Sequence, residues 1–328
     1  MYDDEYFYGN ADYVLYAGWN PKTYAANLDY NEKGEGTATV ADVTYTKDYY
    51  IAPPTVKESF NDKIFVGWYS SADGTGVQYT DELGNSLRPW QHTSDMPLFA
   101  VYKDAFKYTE YGKGYEITAN PLFASTKISE LVIPATYNGK NVISIGEYAF
   151  KDCRNLTSVK IPDTVTFIAS TAFYNCTKVE RYEVYDNGAV APTYYSDNGS
   201  LLYKNPIAGG IELMCVPSAA NGSYSIPYGV TRLNSKTFYR SNVTEVTVPA
   251  SVVEVAQEAF LSCKQLTKLS FAMPEGDQEL VSLEFSTAFV SDCTALEILE
   301  LPARVKAIDN LAESLNAYKK LKEINVIG

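Results

Sequence analysis

The chain has 328 residues and a formal net charge of −13, with 40 acidic against 27 basic side chains. This acidic excess favours solubility and disfavours binding to nucleic acid or an anionic membrane, and no cluster of lysine and arginine offsets it. Tyrosine is abundant, at 28 residues, and histidine occurs once, as His92. The composition therefore favours strands over helices and argues against most metal and acid–base sites.

Nothing in the sequence predicts insertion into a membrane, because no stretch of about 18 apolar residues exists. The first five residues, Met-Tyr-Asp-Asp-Glu, lack the basic and then apolar pattern of a signal peptide. We therefore expect either a cytosolic protein or a segment of a longer chain.

Residues 21–103 alternate short strands with turn clusters at 31–36, 52–54 and 71–76, which predicts a small β-rich module. The module ends in the run Leu-Phe-Ala-Val-Tyr at 98–102. The similar run Leu-Tyr-Ala-Gly-Trp at 15–19 precedes it, so residues 1–20 are expected to be the tail of a preceding copy.

This segment resembles the Listeria–Bacteroides repeat, also called the internalin B-repeat. The resemblance rests on Leu-Asp-Tyr-Asn at 28–31, Phe-Val-Gly-Trp-Tyr at 65–69 and the run at 98–102. It implies a β-grasp-like fold and a role as a surface spacer or interaction unit beside leucine-rich repeats.

Residues 104–328 contain an internal repeat of roughly 22 to 29 residues. One copy carries apolar residues at Leu156, Val159, Ile161, Val165, Ile168, Ala172, Phe173 and Cys176. All eight keep their character 87 positions later, at Val243, Val246, Val248, Val252, Val255, Ala259, Phe260 and Cys263. The run L-x-x-V-x-I predicts one short strand per copy, with A-F-x-x-C filling the opposite wall. Since one copy cannot bury its own apolar face, the copies are expected to stack into a solenoid with short helical turns.

The repeated segment is similar to the BspA-like leucine-rich-repeat family of bacterial surface proteins. The motif runs from Ile145 to Pro162 as Ile-Gly-Glu-Tyr-Ala-Phe-Lys-Asp-Cys-Arg-Asn-Leu-Thr-Ser-Val-Lys-Ile-Pro. The resemblance implies a secreted or surface-anchored protein used in adhesion, which favours an extracellular segment over a cytosolic protein.

The spacing becomes irregular near residues 185–222, where Asn-Gly pairs at 187–188, 198–199 and 221–222 predict inserted hairpins. The last strand, residues 321–326, opens a copy that the chain does not complete. An uncapped end of this kind predicts possible weak self-association through edge pairing.

The sequence contains no residue pattern that is typical of a catalytic or metal site. It therefore predicts no enzyme, no cofactor and no metal site. His92 has no evident triad partner, and Cys153, Cys176 and Cys263 recur at one repeat position, which is typical of buried small hydrophobic residues. The carboxylate pairs Glu180/Glu183 and Glu297/Glu300 suggest glycosidase chemistry by type, yet a solvated sheet face explains them equally.

Candidate binding residues come from the outward position of each L-x-x-V-x-I strand. The predicted column is Val132, Lys160, Glu183, Ser225, Thr247, Ser270, Glu300 and Asn325, with Lys160, Glu183, Thr247, Ser270 and Glu300 as the selected site residues. A second candidate is the group Tyr182, Tyr185, Tyr194, Tyr195 and Tyr203.

The leading hypothesis is a non-catalytic cell-surface or secreted protein that binds an extracellular protein or glycan, with adhesion as its role. A carbohydrate-binding module that uses the tyrosines and Trp90 is one alternative, for which exposed rings would count in favour and buried rings against. A structural spacer of a larger surface protein is the other alternative.

Overall fold

The computed structural model describes residues 21–189, 191–273, 283–285, 288–303, 305–307 and 320–327. The predicted tail at residues 1–20 lies outside this part of the chain. The described residues form two compact units: one contains 21–54 and 67–101, and the other contains 55–66 and the residues from 102 onwards.

The first unit is built around a small mixed sheet. Its residues form β1 (Thr23–Asp29), β2 (Gly34–Glu35), β3 (Val40–Thr44) and parts of β5 (Lys63–Tyr69) and β6 (Met96–Asp104), whereas β4 (Thr55–Val56) and a 3₁₀ turn (Glu58–Phe60) belong to the second unit. Strand β1 pairs antiparallel with β3 and parallel with β6. Trp68 and Trp90 are fully buried at the centre of the unit. The Trp68 Nε1 donates to the Ala52 carbonyl at 3.3 Å, which satisfies its polar edge.

After residue 102, the second unit continues with the antiparallel hairpin of β7 (Phe106–Tyr111) and β8 (Gly114–Ala119), followed by a 3₁₀ helix at Pro121–Ser125. From there the chain alternates between two sets of parallel strands. We call the strands that contain the L-x-x-V-x-I motif the front strands and the strands of the other set the back strands; β8, which precedes the first front strand, belongs to the back set.

The front strands form two separate sheets. The first holds β9 (Glu130–Val132), β12 (Ser158–Pro162) and β14 (Arg181–Tyr185); the second holds β18 (Asn221–Ser225), β20 (Asn242–Val248), β22 (Lys268–Phe271), β24 (Ile298–Pro302) and β26 (Glu323–Ile327). All pairs in both sheets are parallel and join strands of successive copies.

The back strands also form sheets, which corrects the expectation of one strand per copy. They are β8, β11 (Lys140–Ile145) and β13 (Phe167–Ile168), then β17 (Ile211–Cys215), β19 (Val230–Leu233), β21 (Glu254–Val255), β23 (Leu283–Phe285) and β25 (Val305–Ala307); β10 (Thr136–Tyr137) lies antiparallel to β11. Some of these strands lie at spacings such as Val252 to Val255 or Val230 to Leu233, which do not alternate and so gave no strand signal. They pair because stacking places the same short segment of each copy side by side.

The A-F-x-x-C segments form turns that carry the aromatic core. Phe150, Phe238 and Phe260 are fully buried, and Phe173 is 9% exposed. Their rings stack from copy to copy, at 5.6 Å between Phe150 and Phe173 and 4.7 Å between Phe238 and Phe260. Burying an aromatic side chain of this kind contributes about 1.5–3 kcal/mol, so the repeated phenylalanines are a main source of cohesion between copies.

One irregular insertion separates β14 from β17. Strands β15 (Tyr194–Asp197) and β16 (Ser200–Lys204) form a hairpin, and β16 then pairs antiparallel with β17. Asn198 and Gly199 form its two-residue turn with φ of 47° and 76°, the positive values that a type I′ turn needs.

The other two Asn-Gly pairs do not form the predicted hairpins. Residues 187–188 lie in the loop after β14, where the Gly188 N–H donates to the Asp186 Oδ1 at 2.8 Å. Residues 221–222 open β18, which is parallel to β20, because a neighbouring copy is available to pair with it.

Candidate interaction face

The predicted column lies on the front strands, and every member is the cross-strand neighbour of the next within its sheet. Val132, Lys160 and Glu183 stand in register on the three-stranded sheet. Ser225, Thr247, Ser270, Glu300 and Asn325 stand in register on the five-stranded sheet. The structure thus groups the selected residues as two sets, Lys160 with Glu183 and Thr247 with Ser270 and Glu300.

Strand alternation explains why these side chains point outward. Val246 and Val248 are at most 1% exposed, whereas Thr247 between them is exposed. Successive side chains of a strand point to opposite faces, so packing of the valines fixes the direction of the threonine.

Most charges on this face are paired within the protein. Lys160 Nζ lies 2.8 Å from Glu130 Oε1, and Lys268 Nζ lies 2.8 Å from Glu300 Oε1. The Ser270 hydroxyl donates to Glu300 Oε2 at 2.7 Å. The hydrogen bond from Lys268, followed by that from Ser270, holds the pKa of Glu300 below its ordinary value. A partner would therefore meet a polar surface without a field of one sign.

The tyrosines of the insertion do not form one exposed cluster. Tyr182 and Tyr194 are only 5% and 3% exposed, and Tyr185, Tyr195 and Tyr203 are half-buried. The Tyr194 hydroxyl accepts the Ile168 N–H at 3.1 Å, and the Tyr185 hydroxyl donates to the Ile133 carbonyl at 2.6 Å. The Tyr194 hydroxyl thus anchors the insertion, whereas the Tyr185 hydroxyl fixes the end of β14.

A different tyrosine group, which the sequence analysis missed, lies at the start of the repeat region. Tyr108 stacks on Tyr137 with 3.8 Å between ring centroids, and Tyr115 meets Tyr137 edge-on at 5.1 Å. Tyr137 remains 38% exposed. Tyr108 and Tyr115 lie on the β7–β8 hairpin, and pairing of β8 with β11 and of β11 with β10 brings Tyr137 next to them.

Trp90 and His92 belong to the core of the first unit. Trp90 is fully buried between Tyr49 and Tyr79, with ring centroids 5.7 and 5.5 Å away. His92 packs against Trp90 and bonds to the Tyr79 hydroxyl. Burial of Trp90 counts against the alternative in which this ring binds a carbohydrate.

Four cysteines form a buried column along the turns. The Cys176, Cys263 and Cys293 thiols donate to the carbonyls of Phe150, Phe238 and Phe260 at 3.0, 2.9 and 2.9 Å. The hydrogen bond with Cys153, and then burial, raise the pKa of the Cys176 thiol above its ordinary value. Cys215 lies apart in β17, and burial raises the pKa of its thiol to about 12. Thiols held neutral in this way are poor nucleophiles and poor metal ligands.

Of the four carboxylates that suggested glycosidase chemistry by type, Glu297 and Glu300 form ion pairs with lysines. Glu297 binds Lys322 at 2.8 Å, and Glu300 binds Lys268 as described above. Within the described ranges, no three His, Cys, Asp or Glu side chains are grouped as they would be around a metal ion. Over the same residues, no helix has the length and apolar character needed to cross a membrane.

Comparison with known proteins identifies the repeat. Six copies of the BspA type leucine-rich repeat region match at residues 116–204 and 220–327, more than half of the chain. The chain therefore belongs to the BspA type leucine-rich repeat family. Regions of this type are typically non-catalytic, and the family suggests a protein-interaction role at the cell surface.

Several solved structures are similar to this chain at low identity. A leucine-rich cell surface protein from Faecalibacterium prausnitzii is 18% identical, with 69% of this chain and 94% of that chain covered and a TM-score of 0.31. A leucine-rich repeat protein from Bacteroides capillosus is 22% identical, with 42% and 99% covered and a TM-score of 0.35. One from Eubacterium ventriosum is 18% identical, with 62% and 56% covered and a TM-score of 0.43. No curated protein matches the chain.

Proposed function

We propose that this chain is a non-catalytic interaction segment of a bacterial cell-surface or secreted protein, and that it functions in adhesion to host or neighbouring-cell components. Its repeats form a leucine-rich-repeat solenoid whose front strands bind an extracellular protein partner. The observation that carries the proposal is the in-register column Ser225, Thr247, Ser270, Glu300 and Asn325, five polar side chains on one continuous sheet.

The column suits recognition of a protein surface because it is rigid and polar. Buried neighbours such as Val246 and Leu269 fix the backbone beneath Thr247 and Ser270. The partner can form hydrogen bonds without ordering a flexible loop, which lowers the entropic cost of association.

The test is saturable binding of the whole chain to a panel of extracellular-matrix proteins, measured by biolayer interferometry. Thr247→Arg places a bulky cation on the exposed centre of the column and should weaken binding at least tenfold. Ile207→Arg is the matched control, because Ile207 is 95% exposed and lies on no front strand. Binding that is unchanged by Thr247→Arg would refute the front-strand site, and no binding on any panel would favour the spacer function.

We also propose that residues 21–103 form the β-grasp-like, internalin-type module and that the repeats span 104–328. The mixed pairing of β1 with β3 and β6 supports a small independent sheet. Limited proteolysis should release a stable fragment that begins near residue 104. Cleavage confined to other sites would contradict this boundary.

Carbohydrate binding is a second candidate function, favoured by the partly exposed stack of Tyr108 and Tyr137. Sugar rings pack their C–H faces on aromatic rings, and Tyr137 offers an accessible one. Glycan-array binding that is lost in Tyr137→Ala and retained in Tyr228→Ala, a change of an isolated exposed tyrosine, would support this function.

A further inference from the structure

A buried carboxylate lies at the edge of the insertion, where the repeat does not require one. Asp163 follows Ile161 and Pro162 at the end of β12 and is only 7% exposed. The equivalent residues after the Ile-Pro, Val-Pro or Leu-Pro pairs of other copies are Ala135, Tyr228, Ala250 and Ala303. Stacking of the copies therefore does not explain the aspartate.

Only one oxygen of Asp163 has a partner among the described residues. Its Oδ2 accepts the Ala189 N–H at 3.0 Å, whereas its Oδ1 is buried and accepts no hydrogen bond. No ion pair formed within the described ranges involves this side chain. Burial of a carboxylate oxygen without a hydrogen bond is costly, so Asp163 Oδ1 is a strong acceptor for a donor group that enters the pocket.

The carboxylate lines an open pocket of about 300 Å³. Tyrosine rings, a proline and a second carboxylate contribute to its walls: Tyr185, Tyr194, Tyr195, Pro192 and Asp186. Burial and the nearby Asp163 charge both raise the pKa of Tyr185, so its ring stays neutral across the physiological range. Aromatic faces and carboxylates together attract organic cations.

One wall residue already contacts an ammonium group. Lys204 Nζ lies over the Tyr195 ring, 5.2 Å from its centroid. A primary ammonium differs from a quaternary one because it can also donate the hydrogen bond that Asp163 Oδ1 lacks. A lysine side chain adds an aliphatic stem, which can pack on the tyrosine and proline walls.

We propose that this pocket binds the ε-ammonium group of a lysine side chain presented by a protein partner, with Asp163 as its hydrogen-bonding anion. The pocket is separate from the front-strand column, so either site can exist without the other.

The test uses the whole chain, with Nα-acetyl-lysine methylamide as the probe and the ¹⁵N amide resonance of Ala189 as the reporter. The probe should shift this resonance saturably. Asp163→Asn, which keeps an acceptor for the Ala189 N–H but removes the charge, should weaken binding about tenfold or more. Asp42→Asn, at an exposed position of β3 that does not line the pocket, should leave binding unchanged.

Three further probes test whether the pocket prefers a lysine ammonium group over other cations. The Nε-trimethyl form of the probe cannot donate a hydrogen bond and should bind at least threefold more weakly; equal binding would overturn the role of Asp163 Oδ1. Tighter binding of glucosamine would overturn the assignment to lysine, and so would a saturable, Asp163-dependent response to calcium chloride alone. Absence of any saturable shift with the lysine probe would overturn the site itself.

Folding of the variant is checked by thermal unfolding, since an unpartnered buried carboxylate does not stabilise the fold. Asp163→Asn should unfold at the wild-type temperature or above it. Asp163→Ala serves as the second variant, because three other copies carry alanine at this position. A folded Asp163→Ala protein that binds the probe as tightly as wild type would also overturn the proposal.

Discussion

The regular copies around β20 and the insertion between β14 and β17 complete their packing in different ways. In the regular copies, buried phenylalanines stack, and each turn bonds to the next, as from the Phe260 N–H to the Phe289 carbonyl at 2.8 Å. At the insertion, Tyr194 packs against Tyr203, and its hydroxyl accepts the Ile168 N–H. The repeated positions are explained by stacking. Polar groups that occur only at the insertion, such as Asp163, require another explanation.

The largest effect should come from the regular stack. Phe260→Ala removes a fully buried ring that packs on Phe238 and should lower the free energy of unfolding by about 3–5 kcal/mol, measured by urea denaturation. Phe167→Ala is the control, because Phe167 is 46% exposed and its loss should cost less than about 0.5 kcal/mol. An equal decrease in the free energy of unfolding for the two variants would mean that the stacked phenylalanines do not hold the copies together.

The stability of the insertion should depend on the hydroxyl oxygen of Tyr194. Tyr194→Phe keeps the ring but leaves the Ile168 N–H without its acceptor, which should cost about 1–3 kcal/mol. Tyr203→Phe changes the tyrosine opposite Tyr194 in the hairpin and should cost less. If Tyr194→Phe proves neutral in the same denaturation experiment, the hydroxyl does not anchor the insertion.

The same contrast distinguishes the features that could be predicted from the sequence from those that only the structure reveals. Front strands such as β12 and β20 were predictable because Val159 and Ile161, or Val246 and Val248, alternate and recur in other copies. The outward column followed from the same alternation, and the structure places its members in register. Whether those residues bind a partner stays a prediction.

The short back strands, the tyrosine group at the start of the repeats and the burial of Asp163 had no pattern in the neighbouring sequence that could predict them. Back strands of two to four residues depend on a neighbouring copy for their hydrogen bonds, so their own residues do not mark them. The Tyr108, Tyr115 and Tyr137 group depends on pairing of the β7–β8 hairpin with β11, which pairs in turn with β10. Asp163 follows a strand like an ordinary turn residue, and only its burial distinguishes it from an exposed aspartate.

The Cys215 thiol in β17 should contribute to the dependence of stability on pH only in the alkaline range. The pKa of Cys215 is raised from 9.0 to about 12, so the folded state favours the neutral thiol. Its contribution is complete below pH 9 and is lost as the pH rises towards 12, because the unfolded state ionises first. Cys215→Ala should show a shallower loss of stability over this range in urea denaturation. An identical pH profile for wild type and variant would contradict the shift.

The smallest effect should come from the paired charges of the front face. Lys268 and Glu300 form an ion pair at the protein surface, where water and salt weaken the attraction. A double-mutant cycle with Lys268→Ala and Glu300→Ala should give a weak coupling at low salt that vanishes in 1 M salt. A strong coupling that persists in salt would show that the pair is a rigid structural element, comparable to the hydroxyl anchors of the insertion. In that case the front face would be less adaptable to a partner than its exposed hydroxyls imply, and the search for the binding surface would move to the pocket beside Asp163.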